Sequence, residues 1–319
     1  MRILVTGVTG QIGNALAKRL KPLGDVVPAD RSVLNLAEPG TLPETLDRLS
    51  PDLIINPAAY TAVDRAEDER ELAFVVNGQA PGVIARWASR IQVPLVHFST
   101  DYVFDGQGAT PWHEDSPPAP LSAYGASKLA GEEAVRAANG PHLIVRTSWV
   151  YAATGANFLR TIARFACERT ELKVVADQIG APTSARVIAD AIAGILAADG
   201  DNLPRRFARA NGLVNVAASG QTSWHGFAVR IVDGLRARGI KLAVQSIAPL
   251  RAQEFSSRAK RPRNSRLDLT RLNEAFGLIT PSWTDSLEPE LDKIAREIRV
   301  EWDGASADSP VAANLTCRE

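Results

Sequence analysis

A tyrosine and a lysine stand four residues apart in the stretch AYGASKLAGEEA, residues 123–134. Positions i and i+4 share one face of a helix, so Tyr124 and Lys128 are expected to be neighbours. A free phenol has a pKa near 10, and lowering it to about 7 for proton transfer corresponds to about 4 kcal/mol. One ammonium group at about 4 Å, with an effective dielectric constant of about 20, supplies that much. The spacing therefore predicts a proton donor, Tyr124, whose pKa is lowered by Lys128.

Hydroxyl and carboxyl side chains close a strand-like segment upstream. The stretch HFSTDYVFDG (97–106) carries Ser99, Thr100 and Asp101 at the end of this segment. Open α/β sheets bind ligands beyond the carboxyl ends of their strands. A hydroxyl there can hydrogen-bond a substrate carbonyl while Tyr124 gives the proton. This context favours a catalytic pair over the alternative, an incidental exposed Tyr–Lys pair.

A glycine-rich turn opens the chain. In RILVTGVTGQIGNALAKRL, Gly7, Gly10 and Gly13 follow a strand pattern and lead into a helical one. Glycines let the backbone approach a pyrophosphate, and a helix N-terminus favours negative charge. The strand–turn–helix context predicts dinucleotide binding with a GxxGxxG spacing. The alternative is a tight turn that binds nothing.

An acidic and a basic residue follow the second strand pattern. Asp30 stands where a carboxylate accepts both hydroxyls of the adenosine ribose, which favours NAD. Arg31 follows at once and can pair with a 2′-phosphate instead. The two side chains act in opposite directions, so we expect use of both NADH and NADPH. The alternative for Asp30 is an ordinary loop carboxylate.

Strand and helix patterns alternate through the first 150 residues. Strands are predicted at 2–6, 26–29, 53–56, 94–99 and 143–148, and helices at 12–22, 41–49, 65–75, 79–91 and 124–138. This rhythm predicts an α/β fold with a doubly wound parallel sheet, the Rossmann architecture. Further helices are predicted at 157–168, 186–198, 224–238 and 286–300.

After residue 150 the strand and helix patterns no longer alternate regularly, which predicts a smaller C-terminal substrate-binding lobe. We assign 1–150 to the dinucleotide-binding domain, with 183–222 returning to it. The lobe then comprises 151–182 and 223–302. The small, polar and aperiodic segment 303–319 is predicted to be a disordered tail.

Composition excludes several classes of protein. Lys+Arg and Asp+Glu each number 36 in 319 residues, so no net charge favours nucleic acid or a membrane surface. The two cysteines, Cys167 and Cys317, lie far apart, which fits a reducing cytoplasm. The N-terminus lacks the features of a secretory signal, and no long apolar run is present. We therefore expect a cytoplasmic protein with no nucleic-acid or membrane partner.

The motifs STDYVFDG, YGASKLAGE, RTSWVYA, DQIGAPTSA and RPRNSRL occur in that order. Together they resemble the extended short-chain dehydrogenase/reductases, and within them the dTDP-4-dehydrorhamnose reductases, from residue 1 to about residue 300. The resemblance implies NAD(P)H-dependent reduction of the 4-keto group of dTDP-4-dehydro-β-L-rhamnose to dTDP-L-rhamnose. Two rival interpretations are another sugar-nucleotide reductase or epimerase, and a regulatory subunit of the methionine adenosyltransferase type.

The same resemblance implies roles for particular residues. Trp149 is expected to offer an aromatic face to the sugar, or else to be a core residue. The implied catalytic set is Thr100, Tyr124 and Lys128. The implied cofactor contacts are Gly7, Gly10, Gln11, Ile12, Gly13, Asp30, Arg31, Ala58, Ala59, Tyr60, Thr61, Tyr124 and Lys128, and the implied substrate contacts are Thr100, Asp101, Tyr102, Trp149, Gln178, Arg261 and Asn264.

One departure from the family concerns a metal. Some relatives hold Mg²⁺ at a dimer interface with glutamates, where this chain has Ala15 and Arg186. Loss of two carboxylates removes most of the charge of such a site. We expect no Mg²⁺ and no metal ligands, and a monomer or weak homodimer that binds a nucleotide sugar.

Overall fold

The structure, a computed structural model, describes residues 1–198 and 202–305. Its strands are β1 (Arg2–Thr6), β2 (Asp25–Ala29), β3 (Leu53–Asn56), β4 (Leu95–Thr100), β5 (His142–Thr147), β6 (Val150–Tyr151), β7 (Glu171–Val175), β8 (Ile179–Gly180), β9 (Thr183–Ser184), β10 (Leu213–Asn215), β11 (Thr222–Ser223) and β12 (Ser246–Leu250). Its helices are α1 (Gln11–Arg19), α2 (Leu42–Leu49), α3 (Arg70–Phe74), α4 (Ala80–Arg90), α5 (Ala123–Ala137), α6 (Phe158–Glu168), α7 (Ala185–Ala197), α8 (Leu203–Ala208), α9 (Trp224–Ala237), α10 (Thr270–Phe276) and α11 (Trp283–Ala305).

A six-stranded parallel sheet forms the centre of the molecule, in the order β10-β5-β4-β3-β1-β2. Every residue of β3 and β4 is buried, as expected for strands covered by helices on both faces. The chain runs from β1 to β2 on one side and then to β3 on the other, so the strand order reverses between β1 and β3. Ligands bind beyond the carboxyl ends of the strands at such a point. The predicted doubly wound fold is confirmed, and β10 adds a sixth strand.

Helices cover both faces of the sheet. On one face, α1 and α7 contribute Leu16, Leu20, Ile188 and Ile192 to an apolar cluster with the inward side chains of the strands. On the other face, residues of α2, α4 and α5 form a second cluster with β1, β3, β4 and β5. The sheet that carries the polar residues described below at its carboxyl edge is therefore packed by helices on both faces.

A separate apolar cluster belongs to α6, α9 and α11. It is built around Leu159, Phe227, Ile231, Leu287 and Leu291, which are all fully buried. The parallel pair β7–β12 contributes to it from one side. The bounds given above for the dinucleotide-binding domain and the substrate-binding lobe remain a prediction.

The observed helices include α8 and α10, which were not predicted, and they also differ from the predicted helices in extent. The predicted helix 65–75 is a short turn at Arg65–Glu67 followed by α3, and a five-residue π-helix, Val75–Gln79, joins α3 to α4. Helix α11 continues to residue 305, so the first residues of the predicted tail are helical, and 306–319 lie outside the described residues. No helix in the described part of the chain is both long and apolar enough to cross a membrane.

Candidate active site

The glycine-rich turn brings the ends of β1 and β3 into close contact. Gly7 has a φ of 57°, and a Cβ at this residue would lie 2.9 Å from the Cα of Ala58. A Cβ at Gly13 would lie 2.2 Å from the carbonyl oxygen of Gly7. Only glycine fits either place. Gln11, Ile12 and Gly13 form the first turn of α1, where N–H groups lack partners within the helix. This cradle fits the pyrophosphate of a dinucleotide.

Hydrogen bonds fix the segment that follows β3. The Thr6 hydroxyl donates to Asn56 Oδ1 at 2.7 Å, and the Ala58 N–H donates to Thr6 Oγ1 at 3.2 Å. The Tyr60 N–H donates to Asn77 Oδ1 at 2.8 Å. The residues predicted to border the cofactor, Ala58, Ala59, Tyr60 and Thr61, thus run past the glycine-rich turn.

The Asp30 carboxylate stabilises its own turn after β2. Its Oδ1 accepts hydrogen bonds from the Ser32 N–H at 2.9 Å, the Ser32 hydroxyl at 2.6 Å and the Val33 N–H at 3.3 Å. These bonds, the Ser32 hydroxyl first, hold the pKa of Asp30 below its usual value. Arg31 is exposed beside it. One carboxylate oxygen therefore belongs to the turn, and the other remains for a ribose.

The three predicted catalytic residues come together at the carboxyl end of β4. The Thr100 hydroxyl accepts a hydrogen bond from the Tyr102 N–H at 3.2 Å and donates one to Asp101 Oδ1 at 3.1 Å, and it lies beside the phenol of Tyr124. Lys128, one turn further along α5, is buried and donates from Nζ to the carbonyl oxygen of Phe98 at 2.6 Å. The arrangement places a hydroxyl, a phenol and an ammonium group at one edge of the sheet.

The prediction that the pKa of Tyr124 is lowered is wrong: the surrounding protein raises it. Burial raises the pKa of Tyr124 to about 12, against the lowering effect of the neighbouring Thr100 hydroxyl, and the Asp101 carboxylate raises it further. Burial also lowers the pKa of Lys128 to about 8, with Glu132 acting in the opposite direction. Loss of hydration is the largest cause of the Tyr124 shift, and the charged group that acts on its pKa is Asp101, where the spacing alone suggested Lys128.

Asp101 and Tyr102 adjoin this group. Asp101 is buried, and burial raises the pKa of its carboxyl to about 7, although the hydroxyls of Ser265 and Thr100 act in the opposite direction. The ring of Tyr102 meets that of Tyr124 edge-on, with 5.4 Å between centroids. Both predicted substrate residues therefore border the predicted proton donor.

Trp149 is placed differently from the prediction. Its ring stacks on Trp224, with 3.6 Å between centroids and 10° between planes. A Cβ on Gly180 would lie 2.5 Å from the Cε2 atom of the same ring. Both faces of the indole are covered, so the expectation of an aromatic face open to a sugar is wrong.

The remaining predicted substrate residues differ in whether their side chains already bind other groups of the protein. Gln178 is buried close to Gly180. Arg261 is half-buried and its guanidinium donates to Asp64 at 2.7 Å. The Asn264 side chain donates to the carbonyl oxygens of Gly108 at 2.9 Å and Thr110 at 2.7 Å. The amide of Asn264 thus holds two loops together, which favours a structural role over ligand contact.

Sequence reasoning missed residues that hold α5 in place. Asn77, fully buried in the π-helix, donates to the Tyr60 carbonyl oxygen at 3.0 Å and to the Ser127 hydroxyl at 2.9 Å. Glu67 accepts from the Ala123 N–H, at the start of α5, at 2.9 Å. π-Helices often mark functional sites. The available signal for Asn77 was a polar residue that directly follows the apolar run LAFVV, residues 72–76.

A buried ion pair lies one turn beyond Lys128. Arg146, on β5, donates to both carboxylate oxygens of Glu132 at 2.8 and 2.7 Å. Arg146 also lies over the ring of Phe104 at 5.0 Å. The pair links α5 to the sheet beside the catalytic edge, and neither residue was singled out from the sequence.

The described residues contain no group of three or more His, Cys, Asp or Glu side chains that could hold a metal ion. Ala15 packs against the apolar cluster of α1 and α7. Arg186 lies 3.5 Å from the carboxylate of Asp190 and 3.8 Å from that of Glu290. Arg19 lies closer still to Asp190, at 2.6 Å, and Lys293 to Glu290, at 3.0 Å, so cations of the protein already pair with both carboxylates.

Comparison with known proteins agrees with this geometry. The family described as "RmlD substrate binding domain" matches residues 1–296. A dTDP-4-dehydrorhamnose reductase from Burkholderia thailandensis is 48% identical over 287 residues, which cover 89% of this chain and 95% of that protein. This chain belongs to the dTDP-4-dehydrorhamnose reductase family.

Solved structures of the family have the same fold. The dTDP-4-dehydrorhamnose reductase from Clostridium acetobutylicum has a TM-score of 0.82 and 36% identity, covering 92% of this chain and 99% of its own. The enzyme from Bacillus anthracis, solved in complex with NADP, has a TM-score of 0.82 and 34% identity over the same shares of the two chains. The dTDP-4-dehydrorhamnose reductase fold thus extends over both apolar units of this chain.

Proposed function

We propose that this chain reduces the 4-keto group of dTDP-4-dehydro-β-L-rhamnose to give dTDP-L-rhamnose, with NADPH or NADH as the reductant. The observation that carries the proposal is the buried ammonium of Lys128, on the same face of α5 as Tyr124, which lies 2.6 Å from the carbonyl oxygen of Phe98, two residues before Thr100 on β4. The reductase name of the Burkholderia relative and the NADP of the Bacillus structure support the substrate and the cofactor.

The glycine-rich turn supports the cofactor assignment. Gly7 and Gly13 let the turn pack tightly against Ala58 and against the start of α1, which shapes the turn so that its N–H groups can face a pyrophosphate, and Asp30 and Arg31 would meet the adenosine ribose. When bound, the reduced nicotinamide supplies a hydride. Ala58, Ala59, Tyr60 and Thr61 would border the rest of the dinucleotide.

Proton transfer is the task of the protein. A Tyr124 pKa of about 12 keeps the phenol protonated at neutral pH, so it is ready to donate to the oxygen of the reduced carbonyl. Thr100 would orient that carbonyl. The tyrosinate left behind is charged, and the ammonium of Lys128 on the same helical face would stabilise it. Lys128 therefore acts on the charged product of the transfer.

Several further assignments belong to the same proposal. Asp101, Tyr102, Gln178 and Arg261 would contact the nucleotide sugar, whereas Trp149 would contact it only by its edge. The domain bounds, a cytoplasmic location and a monomer or weak homodimer are also proposed.

A turnover assay tests the proposal. dTDP-4-dehydro-β-L-rhamnose made in situ is mixed with the protein and NADPH or NADH, and loss of absorbance at the reduced-nicotinamide band is followed with the product identified by chromatography. We expect formation of dTDP-L-rhamnose. Dinucleotide binding without turnover would favour a regulatory subunit, and turnover of only other sugar nucleotides would favour another reductase or epimerase.

A further inference from the structure

Trp149 lies beside the catalytic edge of the sheet in an unusual backbone conformation. In the pairing of β4 with β5, Thr100 stands opposite Thr147, and Trp149 follows two residues later. Its φ is 48°. A bulky residue adopts positive φ only where the surroundings hold it there, and such residues cluster at functional sites. The position of this indole is therefore imposed by its neighbours.

Two neighbours hold the ring from opposite sides. Trp224 covers one face at a centroid distance of 3.6 Å. A Cβ built on Gly180 would come within 2.5 Å of Cε2 and 2.8 Å of Cδ2 of Trp149. These two atoms belong to the fused bond inside the indole, so Gly180 approaches a face. Because Trp224 already fills the space over the first face, Gly180 covers the second.

Trp224, which covers the first face of the Trp149 ring, belongs to the C-terminal lobe. Trp224 is the first residue of α9, whose start is capped by the Ser223 hydroxyl accepting from the Gly226 N–H at 3.0 Å. The Trp224 ring also meets Phe158, the first residue of α6, with 4.6 Å between centroids. The backbone of Trp149 is tied as well, because its carbonyl oxygen accepts from the Thr183 N–H at 3.1 Å. The sheet edge and the lobe are thus joined through this stack.

A ring with both faces covered can meet a ligand only along its edge. The only polar group of an indole is its N–H, a donor without an acceptor. Sugar hydroxyls and phosphate oxygens both accept such a hydrogen bond. Trp224 and Gly180 fix the plane of the Trp149 ring, and this plane determines which ligand groups the edge of the indole can contact.

We propose that Trp224 is a positioning residue for the nucleotide sugar: with Gly180 it clamps the Trp149 indole so that the ring meets the substrate by its edge. This inference rests on the proposed function for the identity of the substrate. It assigns to Trp224, a residue outside the predicted site, control over substrate affinity with no part in proton or hydride transfer.

Three variants test the clamp. Trp224→Leu removes the stacking ring, and Trp224→Phe keeps an aromatic face in its place. Trp283→Leu is the matched control, because Trp283 contacts the same aromatic group through Phe227, at 6.1 Å between centroids. All three are checked for dinucleotide affinity, which a folded protein retains.

Circular dichroism reports on the stack directly. Two indoles stacked this closely couple their transitions and give a paired positive and negative band. We expect this couplet in the wild-type protein and in Trp283→Leu, and its loss in Trp224→Leu, Trp224→Phe and Trp149→Leu. A couplet that persists in Trp224→Leu would overturn the inference.

Substrate binding reports on positioning. Trp224→Leu should raise KM for the nucleotide sugar, and Kd for dTDP-L-rhamnose, about tenfold, with kcat nearly unchanged, since uniform binding is lost. Trp224→Phe and Trp283→Leu should stay close to wild type. Unchanged affinity in Trp224→Leu, or an equal loss in Trp283→Leu, would overturn the inference. If the wild-type protein shows no turnover, the proposed function fails, and the Kd comparison alone decides the clamp.

Discussion

The ammonium group of Lys128 lies 2.6 Å from the carbonyl oxygen of Phe98, and this hydrogen bond joins α5 to the C-terminal part of β4. Thr100 stands two residues further along the same strand. The lysine therefore positions the helix that carries Tyr124 against the strand that carries Thr100. Lys128 therefore places both a positive charge and the helix that carries Tyr124 at the carboxyl edge of the sheet.

Replacing Lys128 by alanine should weaken dinucleotide binding and lower kcat together. The variant loses the cation that stabilises the tyrosinate and the hydrogen bond that fixes α5. Isothermal titration with NADPH and steady-state kinetics measure the two effects separately. A variant that changed only the free energy of unfolding would contradict the catalytic role of this residue.

Replacing Tyr124 by phenylalanine should lower kcat by about 10² or more, because general acid catalysis contributes about that factor. Dinucleotide affinity should stay close to wild type. Tyr102→Phe removes the phenol of the neighbouring ring, a proposed substrate contact, and leaves the proton donor, so it should change KM for the sugar more than kcat. Near-normal turnover of Tyr124→Phe would remove this residue from the mechanism.

The buried carboxyl of Asp101 makes stability depend on pH. Its pKa is raised to about 7 in the folded protein, so between its unfolded pKa and about 7 only the folded state holds the proton. The stabilisation is complete below the unfolded pKa and is lost as pH rises through about 7, by up to about 4 kcal/mol. We expect Asp101→Asn to flatten this dependence. Urea unfolding at pH 5 and pH 8 measures it, and an equal slope in both proteins would show that Asp101 titrates normally.

Charge at Asp30 should set the choice of dinucleotide. Asp30→Asn keeps an oxygen for the hydrogen bonds to Ser32 and Val33 and removes the repulsion of a 2′-phosphate. We expect the wild type to use both dinucleotides with less than about a hundredfold preference, and the variant to shift toward NADPH. Arg31→Ala should shift it toward NADH. The ratio of kcat/KM for the two dinucleotides decides, and a fixed ratio in both variants would mean that the ribose is recognised elsewhere.

Removal of divalent cations should leave the activity unchanged. Arg186 already lies beside Asp190 and Glu290, and a cation about 4 Å from this guanidinium would cost about 4 kcal/mol for each unit of its charge at an effective dielectric constant of about 20. Activity should persist in EDTA, and the mass from light scattering should not change on addition of MgCl₂. Loss of activity on chelation that Mg²⁺ restores would show that other carboxylates bind a metal.

Local patterns were enough for the framework of this protein. Alternating buried runs and helical periods predicted five strands of the sheet, and the glycine spacing predicted the turn after β1. The i,i+4 spacing placed Tyr124 and Lys128 on one face of α5. These features depend on residues that are near one another in the chain, so the sequence displays them directly.

Only the tertiary structure decided the environment of each functional side chain. Trp149 is enclosed by Trp224 and Gly180, which come from distant segments, and the Asn264 amide is occupied by the carbonyl oxygens of Gly108 and Thr110. The pKa of Tyr124 is raised where spacing alone predicted that it is lowered. Burial and long-range contacts set these properties, and no local period in the sequence encodes them, because the desolvation of a side chain depends on every element packed against it.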